Sequence, residues 1–79
     1  MMENDVLKML EEIKPEFDFN DSEDFVMDGL LDSFDIISLI SMLEEKYRIT
    51  IDGLDIVPEN FSSVESIVAL VIKSGGSPE

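Results

Sequence analysis

The stretch DSFDIISLISMLEEKY, residues 32–47, repeats apolar side chains three and four positions apart. This spacing is typical of an amphipathic helix, because about 3.6 residues complete one helical turn. With about 100° of rotation per residue, five of the side chains fall within one arc of about 100°. These side chains belong to Ile36, Leu39, Ile40, Leu43 and Tyr47. The stretch therefore predicts a helix over residues 33–47 that packs this arc against a core.

Short polar side chains mark the start of this helix. Asp32 suits the N-cap position, since its carboxylate can accept a free backbone N–H group of the first turn, and Asp35 follows three residues later. Ser33 is then the first helical residue. Spacing alone favours an ordinary first-turn serine, a common residue there, over a functional one. A nucleophilic serine would need an adjacent base, and the chain has no histidine.

The side of the predicted helix that faces away from the core also carries large apolar residues. Phe34 and Ile37 lie there beside Ser33, and Glu44 and Glu45 lie close to them. A small apolar area with an acidic rim suits docking of basic protein surfaces. The predicted docking surface consists of Phe34, Asp35, Ile37, Ser41, Glu44 and Glu45. The alternative is a solvated acidic face without a partner.

A helix and a long connection precede residue 33. Apolar residues at helical spacing predict a helix over residues 3–14 that ends before Pro15, which lacks the backbone N–H group of a helix interior. Residues 15–32 show no sustained period, yet they include three phenylalanines. We therefore expect an ordered loop that is anchored to the core by its aromatic side chains.

Shorter elements and a last helix follow the central one. Pro58 in the sequence VPENF suits the first position of a brief helix, whereas YRITI is short enough to be an extended connection. The sequence SSVE that begins at Ser62 matches a capping box, which predicts a helix ending near Lys73. Residues 1–73 are expected to form one domain and residues 74–79 a flexible tail. The predicted fold is an all-α bundle of three main helices plus one short helix.

Composition excludes several classes of function. The chain has 19 acidic residues against 5 basic ones, and its net charge of −14 repels nucleic acid. It contains neither cysteine nor histidine, which supply many metal sites and general bases. A calcium-binding loop of the EF-hand type that begins at Asp18 is excluded, because Glu23 stands at the position that requires glycine and Gly29 at the position that requires glutamate. The sequence therefore predicts no metal site and no enzymatic activity.

The apolar runs of the chain are short. The longest, residues 67–72, is far below the roughly 20 residues that span a bilayer. The acidic N-terminus also lacks the basic region of a signal peptide. We therefore expect a cytoplasmic protein that does not insert directly into membranes.

Three segments together resemble the acyl carrier protein family. They are FVMD at residues 25–28, GLLDSFDIISLISMLEEKY at residues 29–47 and FSSVESIVALV at residues 61–71. The resemblance covers nearly the whole chain, and its most specific feature is the Asp32-Ser33 pair at the head of the second helix. It implies a carrier whose Ser33 bears 4′-phosphopantetheine derived from coenzyme A, with Asp32 as part of the attachment motif.

The resemblance also implies a set of partner enzymes. A phosphopantetheinyl transferase would attach the group, and an acyl or aminoacyl ligase would load the cargo as a thioester. A downstream acyltransferase or synthase would then accept the cargo. The alternative that requires none of these enzymes is an acidic, non-catalytic interaction module in which Ser33 is unmodified.

Departures from the family pattern concern the type of carrier. Phe34 replaces the usual leucine or methionine, and Ser38 stands where fatty-acid carriers generally have glutamate. The sequence GLLDS is more similar to stand-alone aminoacyl carriers, including D-alanyl carrier proteins, although those tend to have glycine at the position of Asp35. The resemblance thus favours a stand-alone acyl or aminoacyl carrier and leaves fatty acyl, polyketide and amino-acid cargoes open.

Overall fold

Three α-helices form the framework of the fold. They are α1 (Met2–Ile13), α2 (Ser33–Tyr47) and α3 (Val64–Lys73). Short 3₁₀ turns lie between them at Phe19–Asp21, Gly53–Asp55 and Pro58–Phe61. The computed structural model describes residues 2–77, except the side chain of Asp21. Within that range there is no β-strand, so the predicted all-α fold with three main helices is confirmed.

One apolar core lies between the three helices. Leu39 and Leu43 of α2 are fully buried, whereas Ile36, Ile40 and Tyr47 pack against the core and are partly exposed. The fully buried partners from α1 and α3 are Val6, Leu10, Ile67 and Val71. The arc that the sequence predicts is therefore the core face of α2, and its burial in the shared apolar core, where α2 packs against α1, contributes stabilising free energy.

The long connection between α1 and α2 is anchored as predicted by two of its three aromatic side chains. Phe19 and Phe25 are buried, and their rings meet edge to face with centroids 5.0 Å apart. The backbone N–H group of Phe25 also donates to the carbonyl oxygen of Ser62 at 2.8 Å. Phe17 and Met27, by contrast, are exposed. These contacts of Phe19 and Phe25 fix the path of the connection that leads to the start of α2.

The connection after α2 is folded back by local hydrogen bonds. Arg48 adopts a left-handed conformation with φ of 54°, which ends the helix. The backbone N–H group of Ile49 donates to the carbonyl oxygen of Glu44, and that of Ile51 donates to the Glu44 side chain. Residues 48–51 of the segment YRITI are therefore a connection, as predicted, whereas Tyr47 is the last residue of α2. The turn at Gly53–Asp55, which the sequence did not reveal, follows this connection.

The N-cap of α3 lies one residue later than the sequence predicted, so the assignment of Ser62 with Glu65 is wrong. Ser63 is the cap: its hydroxyl oxygen accepts from the backbone N–H group of Ser66, and the Ser66 hydroxyl oxygen accepts from that of Ser63, both at 3.1 Å. Ser62 remains in the preceding turn, because its carbonyl oxygen accepts the N–H group of Phe25 and its hydroxyl donates to Glu59. The hydrogen bond between Phe25 and Ser62, which are distant in sequence, thus favours Ser63 over Ser62 as the N-cap of α3.

The end of α3 at Lys73 agrees with the prediction. Gly75 has φ of 105°, and its N–H group donates to Ile72, while that of Gly76 donates to Val71 at 2.8 Å. These two bonds form a Schellman motif, which needs a left-handed residue such as glycine after the helix. The predicted flexible tail extends to residues 78–79, which lie outside the described residues, and its mobility stays a prediction. None of the helices in residues 2–77 has the length and apolarity to cross a bilayer.

Candidate functional site

The first turn of α2 is held by a reciprocal pair of hydrogen bonds. The Asp32 carboxylate accepts from the backbone N–H group of Asp35 at 2.9 Å, and the Asp35 carboxylate accepts from that of Asp32 at 3.0 Å. The predicted N-cap is therefore present and belongs to a complete capping box. Because both bonds bracket Ser33, the backbone of this residue is fixed at the first helical position.

The Ser33 side chain is exposed at the surface. Among the described side chains, which exclude that of Asp21, its hydroxyl takes part in no hydrogen bond. The backbone N–H groups of a first helical turn carry partial positive charge that no upstream carbonyl oxygen neutralises. An accessible hydroxyl on a rigid backbone can react with a large partner without a conformational change of the chain.

Two carboxylates and one ammonium group set the charge around Ser33. The hydrogen bond from the Asp35 backbone is the main cause that lowers the pKa of Asp32, with a smaller lowering by the positive charge of Lys14. Partial desolvation opposes both. Lys14 lies in an ion pair with Asp35, its Nζ atom 3.4 Å from Oδ2. The site is therefore acidic, and a single lysine is held next to the acidic pair.

An apolar cleft of about 250 Å³ opens beside Ser33. It lies between the start of α2 and the segment that carries the last two 3₁₀ turns. The other side chains that line it belong to Ile36, Ile37, Ile56, Val57, Pro58 and Phe61. Ser33 is the one polar residue of this lining, so a group attached to Ser33 has apolar surface within reach. The sequence alone did not place residues 56–61 at this site.

Exposed apolar side chains occur in the first turns of α2 and in the turn at Gly53–Asp55. Phe34 is 81% exposed and Ile37 is 60% exposed, so both lie outside the core as the sequence predicted. Leu54 is 87% exposed in the turn at Gly53–Asp55, close in sequence to Ile56 of the cleft. Leu54 was missed because it belongs to no periodic pattern. Its position between a glycine and an aspartate is the signal of an exposed turn.

The predicted docking residues have different environments in the structure. Phe34, Ile37, Ser41 and Glu45 are exposed on the outer side of α2. Two of the predicted carboxylates are instead bound within the chain. Asp35 belongs to the capping box and the Lys14 ion pair, and the Glu44 carboxylate accepts the N–H group of Ile51 at 3.0 Å. Glu45 is thus the acidic residue of this set that is most available to a partner.

Comparison with known families gives one match. A family model described as a phosphopantetheine attachment site matches residues 4–71, from the first turn of α1 to the last turns of α3. The match therefore includes the capping box, Ser33 and the apolar cleft. No curated protein and no solved structure matches the chain significantly.

Proposed function

The chain belongs to the family of proteins with a phosphopantetheine attachment site, and we propose that it is an acyl or aminoacyl carrier whose prosthetic group is joined to Ser33. The covalent group of this family is 4′-phosphopantetheine. The observation that carries the residue assignment is the exposed Ser33 hydroxyl, held at the first position of α2 by the Asp32–Asp35 capping box. The neighbouring apolar cleft fits a long, partly apolar group that leaves the surface at this point.

The environments of six of the eight other serines support the choice of Ser33. Ser22 and Ser62 donate their hydroxyl hydrogens to oxygens within the chain, and Ser63 and Ser66 bind each other. The two remaining serines of α2 lie in the middle of the helix, away from its N-terminal N–H groups. Ser33 alone among these residues combines exposure, an unengaged hydroxyl and a helix start within the described part of the chain.

The proposed attachment is a transfer from coenzyme A. The Ser33 oxygen forms a bond to the phosphorus that bears the pantetheine, and the bond from that phosphorus to adenosine 3′,5′-bisphosphate breaks. The hydroxyl proton goes to a base of the transferase, because Asp32 and Asp35 are engaged in the capping box. The bound group supplies a terminal thiol that holds cargo as a thioester. The chain itself orients Ser33, and partner enzymes supply every catalytic group.

The outer side of α2 is the proposed docking surface for these enzymes. Phe34 and Ile37 offer exposed apolar area beside Ser33, and Glu45 adds negative charge that attracts a basic partner. A phosphopantetheinyl transferase, a ligase that loads an acyl or aminoacyl group and a downstream acyltransferase or synthase are the proposed partners. Fatty acyl, polyketide and D-alanyl cargoes are all compatible with this function. The proposed location is the cytoplasm, where coenzyme A is available.

Mass spectrometry of the intact chain tests the attachment. The chain is incubated with coenzyme A, magnesium and a phosphopantetheinyl transferase of broad specificity. We expect the wild-type chain and a Ser38→Ala control to gain one phosphopantetheine, and Ser33→Ala to gain none while it unfolds at nearly the same temperature. Modification of Ser33→Ala would refute the residue assignment. A wild-type chain that gains no group would instead support an acidic interaction module.

A further inference from the structure

Lys14 links the end of α1 to the start of α2. Its backbone N–H group donates to Leu10 at 2.9 Å, which places Lys14 directly after the helix. Its Nζ atom lies 3.4 Å from Asp35 Oδ2, and the two side chains are only 27% and 13% exposed. This ion pair joins residues 21 positions apart, so the packing of α1 against α2 creates it.

The carboxylate oxygen that faces Lys14 also takes part in the capping box. Asp35 Oδ2 accepts the backbone N–H group of Asp32 at 3.0 Å, and the same atom lies against the Lys14 ammonium group. Asp35 Oδ2 therefore accepts the backbone hydrogen bond of Asp32 and also lies next to the positively charged Lys14 ammonium group. Loss of that charge would leave two carboxylates facing each other across the first turn of α2.

In the described part of the chain, none of the other basic residues forms an ion pair with Asp32 or Asp35. Lys73 is paired with Asp55 at 2.8 Å. Lys46 and Arg48 follow Ser33 by 13 and 15 positions, which corresponds to about 20 Å along a helix and exceeds a Debye length of about 8 Å at physiological salt. Lys8 precedes Lys14 by six positions, almost two turns of α1. Lys14 is thus the lysine that acts on the acidic pair.

We propose that Lys14 is a positioning residue for attachment at Ser33. Its ammonium group holds Asp35 in the capping box and offsets the negative charge that coenzyme A meets when its phosphate approaches Ser33. After attachment, the same ammonium group reduces repulsion between the new phosphodiester and the two carboxylates. This inference rests on the function proposed above and adds a residue that lies outside α2.

The test compares three variants with the wild-type chain. Lys14→Met removes the charge and Lys14→Arg retains it. Lys8→Met is a matched control that removes an equal charge from within α1. The kcat/KM of phosphopantetheine transfer is measured by mass spectrometry at low salt and at about 0.5 M salt. The melting temperature of each variant is measured before and after modification.

Lys14→Met is expected to lower kcat/KM about two- to fivefold at low salt, and the deficit should shrink at high salt. Lys14→Arg and Lys8→Met should stay near wild type. Lys14→Met should also lower the melting temperature of the modified chain more than that of the unmodified chain. A purely structural role would lower both melting temperatures equally.

Two outcomes overturn the inference. Equal transfer rates for Lys14→Met and Lys8→Met would mean that only the total charge matters. Equal loss of melting temperature in both forms, with a rate deficit that salt does not change, would mean that Lys14 only stabilises the fold. A wild-type chain that accepts no group contradicts the proposed function itself, so the two failures are distinguishable.

Discussion

Glu44 and Glu45 are adjacent acidic residues of α2 for which the structure predicts separate roles. The Glu44 carboxylate accepts the N–H group of Ile51 at 3.0 Å, and Ile51 is buried in the core. Glu45 is exposed. Single substitutions to alanine keep the helix propensity of α2 high, so Glu44→Ala and Glu45→Ala separate the role in folding from the role in docking.

The expected loss for Glu44→Ala follows from the unpaired Ile51 N–H group. A buried donor without a partner costs about 1–3 kcal/mol, and the partial exposure of Glu44 favours the lower part of that range, about 1–2 kcal/mol. For a domain of this size, that loss lowers the melting temperature by about 5–15 °C. Glu45→Ala should change the free energy of unfolding by less than about 0.5 kcal/mol.

Urea and thermal unfolding followed by circular dichroism measure the first effect, and stopped-flow loading at low and high salt measures the second. Glu45→Ala should slow association with a basic partner enzyme at low salt, and the difference should shrink as salt is added. Equal unfolding free energies for both variants would contradict the proposed contribution of the Glu44–Ile51 bond. Loading of Glu45→Ala at the wild-type rate in low salt would exclude a docking role for Glu45.

Leu43→Ala should destabilise the chain by about 2–5 kcal/mol, because Leu43 is fully buried; a loss below about 0.5 kcal/mol in urea unfolding would contradict its place in the core. Ser63→Ala should lower the free energy of unfolding by about 1 kcal/mol and Ser62→Ala by clearly less, because Ser63 is the N-cap of α3. The reverse order in urea unfolding would indicate that Ser62 is the N-cap. The pKa of Asp32 is lower in the folded chain than the ordinary aspartate pKa of about 4. The ionised carboxylate therefore contributes stability at pH values above about 4, and this contribution is lost as the pH falls through the pKa of the folded chain. Between pH 6 and about 2.5, the melting temperature of Asp32→Asn should therefore fall less than that of the wild-type chain. Phe34→Ala should weaken partner binding at low and high salt alike without changing the melting temperature, and unchanged affinity by calorimetry would remove Phe34 from the docking surface.

The parts of the molecule that the sequence predicted correctly depend on interactions within a few residues. The periodic apolar residues of α2 identified its core face, and the Asp32–Asp35 pair marked its start, because helical periodicity and capping connect residues three or four positions apart. Pro15 and Pro58 likewise marked boundaries through their own covalent geometry. The exposure of Ser33 followed directly from these local features.

The features that the sequence did not reveal depend on contacts between distant segments. The bond from Phe25 to Ser62 selects Ser63 as the cap of α3, although both serines are chemically suited to that position. The packing of α1 against α2 brings Lys14 to Asp35, and the turns at residues 53–61 place apolar side chains beside Ser33. No local sequence pattern predicts these contacts. They are stabilised by the burial of surfaces from distant segments, which meet only in the folded chain. The amino-acid sequence by itself therefore determined the helices and the place of Ser33 at the start of α2, whereas the tertiary structure decided which charges and which apolar cleft surround Ser33.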